Sequence, residues 1–175
     1  MPLMEFTKLE AKSEVRALSD VAPAGRVLVV DAPILATVLA DSGYTVIETA
    51  RDRLFAVTES FDLAILPYPN PADAVSLQST VGQLASLLSD TGVLRLLLYD
   101  PKAGEAYSTT EHATIIELLD DAGFGAVLID HRMPYRAVRL LNGSDSKPGA
   151  MLYVPLARIR HAFGKSPVYG VIAYK

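Results

Sequence analysis

A chain of 175 residues and 18.8 kDa, half of it hydrophobic, has the size of one domain and enough apolar side chains for a full core. Cysteine is absent, which excludes disulfides, thiolate zinc sites and thiolate-held iron–sulfur clusters; apolar runs such as 27–30 and 93–98 fall far short of the roughly 20 residues that cross a bilayer. The formal charge of -4 is unevenly spread: residues 1–125 carry 8 Lys and Arg against 18 Asp and Glu, whereas residues 126–175 carry 8 against 2, so a basic last third follows an acidic body.

From Glu5 to Ser19, Ala11, Val15 and Leu18 recur at helical spacing among charged residues, which predicts an amphipathic helix. After the turn Pro23-Ala24-Gly25, Arg26 to Val30 (RVLVV) is a short β-branched run ending in Asp31, the pattern of a parallel strand buried on both faces. Pro33 opens the next helix, with Ile34, Leu35, Val38 and Leu39 as its apolar face and Gly43 as its stop. Tyr44 to Ile47 is read as strand two, ending at Glu48, and Phe61 to Leu66 as strand three, closed by Pro67-Tyr68-Pro69-Asn70-Pro71. Leu77, Val81, Leu84 and Leu88 mark a helix, Ser89 to Gly92 a turn, and Val93 to Tyr99 a strand. A capping box at Ser108 to Glu111 starts a helix that carries Ile115, Leu118 and Leu119 inward and stops at Gly123. Ala126 to Ile129 re-enters the sheet, and 137–141, 151–154 and Val168 to Tyr174 are further β runs.

Strands alternating with helices predict an α/β fold, Rossmann-like and doubly wound, with a mostly parallel sheet and an antiparallel edge strand from the β-rich end. Residues 1–22 are expected as an N-terminal helix packing on a domain of 23–175, one domain overall. The N-terminus lacks the continuous apolar stretch of a signal peptide, so a cytoplasmic location is expected.

These pieces, in this order, resemble class I S-adenosylmethionine-dependent methyltransferases over residues 24–175. PAGRVLVVD resembles their first strand with its acidic end, SGYTVIE the second, ESFDLAIL the fourth, LLSDTGVLRLLL the turn and fifth strand, IIELLDDAGFGAVLID the following helix and sixth strand, and VYGVIAYK the closing antiparallel strand. The resemblance implies a cofactor at the carboxyl ends of the first strands, with Asp31 and Glu48 as the cofactor-binding acids and Asp62 in a structural role. Glycines normally follow strand one, because only a residue without Cβ lets the backbone approach the cofactor. Here Asp31 is followed by Ala32-Pro33-Ile34-Leu35 with no glycine before Gly43, so the chain resembles a degenerate member, with Ile34, Leu35 and neighbouring side chains expected to fill the space above Asp31 and Glu48. The opening also resembles a receiver domain, but Pro67 stands where that family places its phosphoryl-accepting aspartate.

The three histidines, His112, His131 and His161, lack helical metal-pair spacing, and no Gly-x-Ser-x-Gly nucleophile elbow or P-loop occurs. No catalytic or metal residue is therefore assigned, and no cofactor is expected. The expected function is that of a pseudoenzyme: a non-catalytic methyltransferase-like domain acting in protein interaction, regulation or assembly. An acidic protein is one candidate partner, docking on Arg132, Tyr135, Arg136, Arg139, Arg158 and Arg160. Neither membrane nor nucleic acid is expected as a partner, since duplex binding calls for a more basic domain. The alternative is a divergent methyltransferase of unknown acceptor that binds S-adenosylmethionine, and behind it a degenerate receiver-like regulatory domain.

Overall fold

The computed structural model describes residues 8–19, 21–22, 25–68, 74–99, 109–132 and 168–175. Their backbone begins with helix α1 (Lys8–Leu18), then strand β1 (Arg26–Val30), helix α2 (Pro33–Asp41) and strand β2 (Thr45–Thr49). After a 3-10 helix (Arg51–Ala56) come β3 (Phe61–Tyr68), α3 (Ala74–Leu87), β4 (Leu88–Tyr99), α4 (Thr109–Asp121), β5 (Ala126–Arg132) and β6 (Val168–Tyr174). They form one six-stranded sheet of order β2-β1-β3-β4-β6-β5. β2, β1, β3 and β4 run parallel, and β6 is antiparallel to both β4 and β5. The predicted fold class holds, with the antiparallel strand one place in from the β5 rim.

Strand periodicity divides the core into two layers. Leu28, Val30, Ala64, Leu66, Leu94 and Leu96 meet α3 and α4 on one face, while Val27, Val29, Leu63, Ile65, Val93 and Leu97 meet α1 and α2 on the other. Burial on both faces is why β1 and β3 read as continuous apolar runs rather than alternating ones.

Several boundaries differ from the sequence reading, and three of them have a local reason. Tyr44 precedes β2, and its hydroxyl donates to the Ala22 carbonyl at 2.9 Å, tying the α1–β1 connection down. The turn at 89–92 is absorbed into β4 as an irregularity: Phe61 pairs with Leu88 and Leu63 already with Val93. Pro67 does not end β3 but pairs with Leu97. The β1 ladder stops at Ile65, and the Pro67 carbonyl meets Arg51 on that side, so the missing N–H of proline costs no ladder bond. The β runs expected at 137–141 and 151–154 lie outside the described residues.

α1 is fastened to the sheet by a charge pair. Glu14 Oε1 accepts from Arg95 Nε of β4 at 2.8 Å, and both side chains are 0% exposed. Arg95 fits because β6 offers Gly170 beneath it; a Cβ there would collide with the guanidinium. At the amino end of the sheet, Asp62 Oδ2 accepts the Arg26 N–H at 2.9 Å, and Gly25, at positive φ, leaves room for that carboxylate. Asp62 thus ties the starts of β1 and β3 together.

Candidate functional site

In an open α/β sheet, ligands bind at the carboxyl ends of the strands where the order of connection reverses. Here the chain passes from β1 to β2 on one side and then returns to β3 on the other, so the switch point lies between β1 and β3. Asp31 sits at that point, the residue after β1, with φ of 54°. Aspartate is among the few residues with a side chain that tolerate the left-handed region, which lets the chain turn from strand to helix without glycine. Only Asp31 and Ala32 separate β1 from α2, and Pro33 occupies the first helical turn.

Both carboxylate oxygens of Asp31 are engaged by one residue. The Arg51 backbone N–H donates to Oδ1 at 3.1 Å, and Arg51 Nε lies 3.5 Å from Oδ2. The same guanidinium donates through Nη2 to the Pro67 carbonyl at the end of β3, at 3.3 Å. The Asp31 N–H donates in turn to the Thr49 carbonyl of β2 at 3.0 Å. Arg51 therefore spans the switch point, joining the carboxyl ends of three strands, with its side chain 21% exposed and that of Asp31 17%.

Glu48, the second expected cofactor acid, stands in β2 opposite Val29 and is exposed. Among the described residues nothing joins it to Asp31. Leu35 lies fully buried in the core beneath α2, but Ile34 is 37% exposed and faces a groove between α1 and α2. The residue that the structure brings onto Asp31, which the sequence reading did not name, is Arg51. The motif-based reading missed it because the family comparison stops at the acid ending strand two; the signal was an arginine three positions after Glu48, opening the stretch Arg51-Asp52-Arg53.

Of the residues expected to bind a partner, Arg132 ends β5, paired with Val168 at the opposite rim of the sheet from β2. Tyr135, Arg136, Arg139, Arg158 and Arg160 lie outside the described residues. Among the described residues no cluster of three or more metal-ligating side chains occurs, and no helix is long and apolar enough to cross a membrane.

No protein-family model matches the sequence, and no curated protein does. Solved structures do resemble it in fold. A candidate O-methyltransferase of Nostoc punctiforme superposes with a TM-score of 0.57 at 12% identity, over 96% of this chain and 56% of that one, so this chain spans little more than half its length. A SAM-dependent methyltransferase from Archaeoglobus fulgidus gives 0.54 at 12% identity over 94% of both chains, and the [4+2]-cyclase SpnF gives 0.52 at 13% identity over 100% and 84%. With its six-stranded, mostly parallel sheet closed by an antiparallel strand, the chain has the methyltransferase-like Rossmann fold.

Proposed function

We propose that this chain is a non-catalytic methyltransferase-like module, a single folding unit of residues 23–175 with residues 1–22 packed on it, that works by holding another protein in a regulatory or assembly role. The observation that carries this reading is Arg51. The acid that would face a cofactor at the end of β1 already has both oxygens engaged by Arg51, which also reaches β3 across the switch point. The two-residue link from β1 to α2, with a proline in place of glycines, gives a ligand little backbone to approach. Fold alone does not assign activity, and the resemblance to a cyclase as well as to methyltransferases illustrates why. The basic segment that holds Arg132, Tyr135, Arg136, Arg139, Arg158 and Arg160 is the first place to look for an acidic protein partner.

The second reading, a divergent S-adenosylmethionine-dependent methyltransferase, is favoured by one observation: Glu48 stays exposed near the carboxyl end of β2, free to accept from ribose hydroxyls. Methyl transfer depends chiefly on proximity and alignment, so this reading needs no general base. Calorimetric titration with S-adenosylmethionine and S-adenosylhomocysteine separates the two. The first reading expects no binding heat from either. Micromolar binding that Glu48→Ala abolishes establishes the second.

A further inference from the structure

We infer that the groove between α1 and α2 is a docking site for an acidic amphipathic helix of a partner protein. The groove has a volume of about 410 Å³, within the range of roughly 300–1,000 Å³ typical of binding sites. It is lined by Lys8 and Lys12 of α1 and by residues from Ile34 to Ser42 of α2 and its end, and by none of Asp31, Glu48 or Arg51.

α2 gives it a whole helical face. Ile34, Thr37, Val38 and Asp41 follow at intervals of three and four residues, so they line one side of the helix. Ile34 and Val38 make the apolar floor; Ile34, 37% exposed, is one of the few large apolar side chains on the described surface. The hydroxyls beside them are committed: Thr37 donates to the Pro33 carbonyl at 2.9 Å, and Ser42 to the Val38 carbonyl at 2.7 Å. The donors left to a ligand are the ammonium groups of Lys8 and Lys12, one turn apart on α1, both exposed. Neither forms an ion pair with Asp41 or with any other described residue.

Two lysines against one aspartate make this groove positive within a body, residues 1–125, that carries ten more acids than bases. An apolar floor with a cationic rim matches an amphipathic helix whose leucine-type residues seat on Ile34 and Val38 while its carboxylates meet the lysines. The walls are helical and the nine-residue α2 is roughly 13 Å long, room for two or three turns of a third helix. The interaction reading gives the groove its use, but its affinity is measured without the cofactor, so either idea can fail alone.

The test is fluorescence anisotropy at low ionic strength. The probe is a labelled designed peptide with leucines at i, i+4 and i+7 and flanking glutamates. Controls are the same peptide with lysines for glutamates, and dodecanoate. The proposal expects saturable binding of the acidic peptide alone, weakened at least tenfold by K8E/K12E and by Ile34→Glu. Circular dichroism verifies that both variants are folded; the substituted side chains are exposed. Backbone amide shifts in the wild type should cluster at Lys8, Lys12, Thr37 and Ser42. The proposal is overturned by no saturable binding, by equal binding of the basic peptide, by unchanged affinity in both folded variants, or by dodecanoate displacing the peptide from unshifted residues. Self-association removed by K8E/K12E would assign the groove to a second copy of the chain and also overturn it.

Discussion

At the scale of single residues, two arginines do work that charge counting does not reveal. Arg51 is partly exposed, so its pairing with Asp31 is screened, and most of the side chain's value lies in its hydrogen bond to the Pro67 carbonyl of β3. Arg51→Ala should lower stability by about 0.5–1.5 kcal/mol, read from the urea midpoint with an unchanged slope. Arg95 makes a different demand. Gly170→Ala places a methyl group against the buried guanidinium and should cost about 1–3 kcal/mol. Gly82→Ala, mid-helix in α3 with open space around the new carbon, should be neutral or stabilise by up to about 1 kcal/mol. Equal effects of the two substitutions would mean that Gly170 is not there to make room for Arg95.

At the scale of elements, the strands were legible because their side chains carry their own instructions: the runs VLVV (27–30) and LAIL (63–66) are apolar on both faces, and both are buried on both faces. What escaped was set by partners distant in sequence. Pro67 reads as a strand breaker, yet β3 passes through it because its carbonyl side faces Arg51 rather than a ladder. Glu14, three residues after Ala11 and four before Leu18, falls on the apolar face of α1; nothing local explains a carboxylate there, and its partner Arg95 lies 81 residues away. That pair determines how α1 behaves. Glu14→Ala should cost about 3–5 kcal/mol by leaving the guanidinium buried without its acid, whereas Glu14→Leu with Arg95→Met should be neutral or stabilise by about 1–4 kcal/mol. A denaturant series on the three proteins decides; a double variant as damaged as the single one would show that the pair is required for docking α1.

At the scale of the whole molecule, the sheet order places a switch point between β1 and β3, and the residues there decide whether the fold holds a ligand or only a shape. The sequence pointed to that place through Asp31 and the missing glycines but not to Arg51, because no local pattern says that an arginine after strand two will reach the end of strand three. Similarity in fold at 12% identity leaves the chemistry of this place open to experiment. The most direct measurement is a titration of isotope-labelled protein with S-adenosylhomocysteine, following the backbone amides of Val30, Asp31, Thr49 and Arg51. A switch point closed by the Asp31–Arg51 pair predicts unmoved amides to millimolar ligand; saturating shifts at these four amides at micromolar ligand would contradict it.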